Sequence, residues 1–137
     1  MLQAYAGNRN YLIISIQELS MMVFAGISRV FSTANSQQYE AIGDFWQEMS
    51  DRYGRCRLRG LGYNWTADSI QYVIGFKEGV IPGANCSVDL PDSGWTVVEG
   101  RTAELSDMYD RIYQDGALLY EIEAFDDQGQ CQIMFYR

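Results

Sequence analysis

Two helical stripes, each set between pairs of strand-like runs, constrain this chain more than any other feature. In residues 37–53, Tyr39, Ile42, Trp46, Met49 and Tyr53 fall at spacings of 3, 4, 3 and 4, with Phe45 beside them. That periodicity predicts an amphipathic helix. Asn35 and Gln38 have the form of a capping box before it, and Gly54 is placed to end it. A second stripe, Leu105, Met108, Tyr109, Ile112 and Tyr113, follows Thr102 as a candidate N-cap and stops at Gly116. Strand-like runs at 11–17 and 21–31 precede the first helix, and runs at 60–66 and 70–76 follow it. Runs at 86–90 and 95–101 precede the second, and 116–125 and 130–136 follow it. These runs are rich in β-branched and aromatic residues. Residues 79–84, GVIPGA, read as a linker and residues 1–10 as a flexible arm.

The expected fold is therefore α+β. It has two pseudo-symmetric ββαββ halves, 11–78 and 85–137, in one domain over 1–137. Each half would carry an antiparallel sheet and one helix. The halves superpose loosely, MVFAG ending at Gly26 on TVVEG ending at Gly100, and YVIGF on QIMFY. In that register Tyr63 faces Glu123 and Trp65 faces Phe125. Neither half is large enough to cover both faces of its sheet, so pairing them should leave a central cleft, a favoured place for a ligand.

The run GALLYEIEAF at 116–125 gives that cleft its chemistry. Side chains alternate along a strand, so Leu118, Tyr120, Ile122 and Ala124 share an apolar face expected on the core. Leu119, Glu121, Glu123 and Phe125 share the other. One reading leaves that face in water with both acids solvated. The other makes it the floor of a pocket where one acid meets a cation, since a carboxylate walled by apolar groups is costly to leave unpaired. Tyr63, Trp65 and Phe125 would form the walls. Trp46 divides between core and pocket, and Tyr109 and Tyr113 suit a half-exposed pocket edge.

Composition removes several alternatives. The chain has no histidine, which excludes Ser-His-Asp and Cys-His catalysis and every His-ligated metal. Its three cysteines, Cys56, Cys86 and Cys131, form no CxxC motif and are expected as free thiols in a cytoplasmic protein. No catalytic nucleophile, metal site or cofactor is expected. Ten basic against 18 acidic residues give a net charge of −8, which favours cationic partners over nucleic acid. The cluster Arg52, Arg55, Arg57 and Arg59 reads as a solvated turn. No run reaches transmembrane length.

The ordered motifs SIQELSMMVFAGI, IGDFWQEM (42–49), YVIGF (72–76), VDLPDSGWTVVEG (88–100) and EAFD (123–126) resemble the GyrI-like, or bacterial effector-binding, family. That family is the ligand-sensing module of multidrug-responsive transcription regulators of the MerR and AraC classes, and it also exists alone. The resemblance spans nearly the whole chain and rests on the order and spacing of the motifs. It implies two α+β halves around a cleft that binds lipophilic, often cationic molecules through aromatic walls and one acid. The E-x-aromatic-D pattern maps that acid to Glu123, with Glu121 on the same strand face as the alternative. The chain has no room for a separate DNA-binding domain. Three functions stay open: a stand-alone binder of cationic drug-like compounds, an inhibitor of a topoisomerase-like protein partner, and a hydrolase of reactive small molecules with a Glu general base.

Overall fold

The computed structural model describes residues 22–137. The arm at 1–10, the strand expected at 11–17 and Met21 lie outside the described residues. Seven strands and two helices follow: β1 (Met22–Ser32), α1 (Gln38–Tyr53), β2 (Leu58–Tyr63), β3 (Ser69–Phe76), β4 (Cys86–Leu90), β5 (Thr96–Arg101), α2 (Leu105–Gln114), β6 (Tyr120–Phe125) and β7 (Gln130–Tyr136). The fold is α+β. Among the described residues no helix is long and apolar enough to cross a membrane.

The strands make one sheet, in the order β4-β1-β3-β2-β6-β7-β5, rather than the separate sheets expected for two halves. The pairing of β2 with β6 is what joins them, with Leu61 opposite Ile122. The pairings β1–β3, β3–β2, β2–β6, β6–β7 and β7–β5 are all antiparallel. The described residues divide into two compact units, one of residues 22–24 and 88–94, the other of 25–87 and 95–137. In the first, Phe24, Val88 and Leu90 are buried. The second holds both helices, the linker and the remaining core.

In that second unit α1 buries Phe45, Trp46 and Met49, and α2 buries Met108 and Ile112. These side chains close on Leu58, Tyr72, Ile74, Phe125, Ile133 and Phe135 of the sheet. The middle of each helical stripe is thus the core face that its spacing predicts, while Tyr39 and Tyr113 at the stripe ends stay exposed. Their starts differ from expectation. Asn35 and Ser36 adopt φ values of 53° and 58° in a short 3-10 turn, and no side chain caps α1. Thr102 likewise gives α2 no side-chain cap; there the Glu104 side chain accepts the Arg101 N–H at 3.2 Å in the turn before the helix. The end of α1 is as expected: Gly54 takes φ 88° and its N–H returns to the Ser50 carbonyl. Residues 79–84 connect β3 to β4, pinned by Ile81, which is fully buried.

Candidate functional site

The glutamate-bearing face of β6 is the one that meets the helices. Glu121 and Glu123 are only 7% and 9% exposed, so the solvated reading of these acids does not hold. The core under the helices takes Phe125 from this face; of the Leu118, Tyr120, Ile122 and Ala124 set expected there, it takes Leu118, just before the strand, and not the other three. The reason lies in the neighbouring strand. Gly62 pairs with Glu121 and Gly60 with Glu123. Two glycines beside two acids leave room that no other side chain would leave. A Cβ on Gly60 would lie 2.2 Å from the Tyr72 hydroxyl, and one on Gly62 would lie 3.2 Å from Glu121 Cγ.

Tyr72 uses that room. Its hydroxyl crosses Gly60 and donates to Glu123 Oε2 at 2.6 Å. The Trp46 indole N–H in turn donates to the Tyr72 oxygen at 2.8 Å. On the α2 side, the Tyr113 hydroxyl donates to Glu121 Oε1. Each acid therefore has its own tyrosine donor from its own element. The Tyr109 ring stacks on Tyr113 at 5.8 Å. Its hydroxyl is buried near both carboxyls and draws both pKa values down, yet no acceptor meets it in hydrogen-bonding geometry.

Above these groups lies a cavity of about 740 Å³, within the range of small-molecule sites. Gln38, Tyr39, Ile42 and Trp46 line it from α1, Leu105, Tyr109 and Tyr113 from α2, and Ile70, Tyr72, Glu121, Glu123 and Phe125 from the sheet. Trp46 meets Phe125 edge-on at 5.1 Å. Arg55, in the turn after α1, places its guanidinium 4.2 Å over the Phe125 ring and 5.8 Å from Trp46. It is not simply a solvated arginine. Arg57 also lies over a ring, Phe76, at 4.8 Å.

Burial dominates the electrostatics. It pushes the Glu121 carboxyl up to about 7, the Tyr113 hydrogen bond opposes this, and the charge of Glu123 adds to it. Burial raises Glu123 too, against the pull of Tyr72 and the Arg55 charge. The same burial, reinforced by the two acids, holds the Tyr72, Tyr109 and Tyr113 hydroxyls well above the ordinary tyrosine range, so they remain donors. Neither carboxylate makes an ion pair with any described residue; the ion pair present there, Arg29 with Glu48 at 2.9 Å, lies elsewhere.

Seven of the residues singled out from the sequence, Glu121, Glu123, Trp46, Trp65, Phe125, Tyr109 and Tyr113, line this cavity. Tyr63 does not. It pairs with Tyr120 rather than facing Glu123, stacks on that ring at 6.3 Å, and approaches Cys86 Sγ at 3.7 Å. Trp65 parts company with it because β2 ends at Tyr63 and Asn64 takes φ 60°, which breaks the strand alternation. Sequence reasoning missed Tyr72 and Arg55. Tyr72 carried a signal: it is the one hydroxyl-bearing residue on the Ile70–Tyr72–Ile74–Phe76 face of its strand. Arg55 carried none, since charge alone does not say which way a turn points its side chain.

No family model matches the chain, and no curated protein matches it. Among solved structures it is similar to that of SAV2435 bound to tetraphenylphosphonium, with a TM-score of 0.61 and 16% identity, over 85% of this chain and 88% of that one. At that identity the likeness speaks to the fold.

Proposed function

We propose that this chain is a small-molecule-binding domain for lipophilic cations, with Glu123 as the principal cation-recognising acid. The observation that carries the reading is a pair of buried carboxylates, in ion pairs with no described residue, in an aromatic-walled cavity. Two carboxylates kept from water are costly unless something compensates them. Tyrosine hydroxyls compensate them in part, and a bound cation would complete it. Trp46, Trp65, Phe125 and Tyr109 offer ring faces that attract a desolvated cation by about 0.5–2 kcal/mol each. The fold shared with SAV2435, whose structure holds a lipophilic cation, supports the same reading. So does the resemblance to the GyrI-like effector-binding family. The pseudo-symmetry of halves 11–78 and 85–137 belongs to this reading as well. From its centre the sheet runs outward as β2-β3-β1 and then β4 on one side and β6-β7-β5 on the other, so the inner three strands of each side correspond while β4, from the second half by sequence, lies beyond β1.

Isothermal titration with tetraphenylphosphonium and with neutral triphenylphosphine oxide tests it. Glu123→Gln keeps shape and removes charge. It should weaken the cation by about 1–3 kcal/mol, or roughly 5- to 150-fold, and the neutral compound far less. Equal losses for both compounds would make Glu123 structural, and no binding of the cation to the native chain would end the reading.

One observation favours a second reading as a hydrolase. Glu121 titrates at about 7, the range suited to a general base, beside the unpartnered Tyr109 hydroxyl. Turnover of a strained or reactive small molecule that vanishes in Glu121→Gln would establish it.

A further inference from the structure

Glu121 and Glu123 stand two residues apart on one face of β6, which spaces them by about 6.6–6.8 Å along the strand. They are separately held, Glu121 by Tyr113 of α2 and Glu123 by Tyr72 of β3. The groups facing them are few. β2 offers Gly60 and Gly62, and β7 offers Ile133 and Phe135. From the helices come the hydroxyls of Tyr109, Tyr113 and Tyr39, and the carboxylate of Asp110. Among the described residues Arg55 is the sole basic one lining the cavity, and it lies over Phe125 without hydrogen-bonding either acid. A ligand with one positive charge leaves one of the two acids without a counter-charge. That acid must then keep a proton or stay buried and unpaired.

We propose that the preferred ligand is an aromatic dication, with one charge at Glu123, the other at Glu121, and its cationic centres about 7 Å apart. This deepens the cation-binding reading and rests on it. A cavity of about 740 Å³ accepts an aromatic body with two charged ends. The proposal also has a protonic consequence. With the Glu121 carboxyl pushed up to about 7, the empty site holds a proton on Glu121 part of the time at neutral pH. A monocation settles on Glu123 and leaves that proton in place. A dication expels it, so its advantage should grow as pH rises.

Benzyltrimethylammonium and para-xylylene-bis(trimethylammonium) differ mainly in the second charge. Their affinities for the full chain should be measured calorimetrically at pH 6 and pH 8, in two buffers of different ionisation enthalpy. The bis compound should bind at least about 10-fold more tightly at pH 8, with a smaller advantage at pH 6 and a larger proton release. Glu121→Gln should erase that advantage, and a single cooperative thermal unfolding transition shows that the variant is folded. Equal affinities at pH 8, or an advantage that survives Glu121→Gln, would overturn the proposal. If tetraphenylphosphonium binds but neither ammonium compound does, the dication inference falls alone. If tetraphenylphosphonium fails too, the cation reading falls with it.

Discussion

Arg55 shows how much a single side chain can decide in this cavity. Its guanidinium already lies over Phe125 at 4.2 Å and lowers the pKa of Glu123, as a ligand cation would. It is exposed and makes no ion pair among the described residues, so its hold on the ring is weak. An arriving cation must share the ring with it or displace it, and both positive charges repel. Arg55→Ala should therefore tighten a lipophilic monocation, by about 0.5–1 kcal/mol, the range of an exposed cation–π contact. Titration of tetraphenylphosphonium against both proteins checks this. Weaker binding in the variant would mean that the guanidinium braces the aromatic wall instead. Trp46 makes a related point. It was divided between core and pocket, and it serves as both, because its ring packs on Phe125 while its N–H holds Tyr72.

The strands β2 and β6 work as a complementary pair, acids on one and glycines on the other. Gly60→Ala would push a Cβ into the Tyr72 hydroxyl and its ring, with 2.2 Å to the oxygen. Tyr72 is buried among well-packed neighbours and has little room to give. The substitution should cost about 1–3 kcal/mol, measured as a lower denaturation midpoint, and should loosen cation binding through loss of the Tyr72–Glu123 bond. Gly62→Ala, with 3.2 Å to Glu121 Cγ, should be milder. Similar losses from the two would show that the Tyr72 contact does not set the cost, since chain entropy by itself favours Ala over Gly. Strand alternation alone placed both acids and Phe125 on one face, and helical periodicity placed Trp46 and Tyr109. Those patterns are local, so the sequence displays them. The pairing of β2 with β6 is not local, and a joined sheet could not be read from element order. Tyr63 was misplaced for a subtler reason. Its strand ends three residues earlier than its composition suggests, and one left-handed asparagine sent Trp65 the other way.

At the scale of the molecule, a buried acid on a chain of net charge −8 links stability to pH. The folded Glu121 carboxyl titrates at about 7, against an ordinary value of 4.5. Between those values the folded state binds more protons than the unfolded one, so stability falls as pH rises through that window. The shift corresponds to a loss on the order of 3 kcal/mol, complete only above about pH 7. Thermal unfolding followed at pH 4.5, 6 and 8 should show this decline in the ligand-free protein. Glu121→Gln should flatten it and raise the melting temperature at pH 8, whereas an unchanged slope would assign the decline to groups other than Glu121, buried Glu123 among them. The bond from Trp46 through Tyr72 to Glu123 has an optical consequence. Of the three indoles in the chain, Trp46 and Trp65 line the cavity, while Trp95 packs against Tyr120 and Tyr136. In a Trp95→Phe protein, all tryptophan emission would come from the cavity, and one emitter would be hydrogen-bonded through a single hydroxyl to the acid. Filling the site or protonating Glu123 should shift that emission, so the domain carries its own fluorescent gauge of occupancy, and titration without a spectral change would mean that the relay does not respond to the acid.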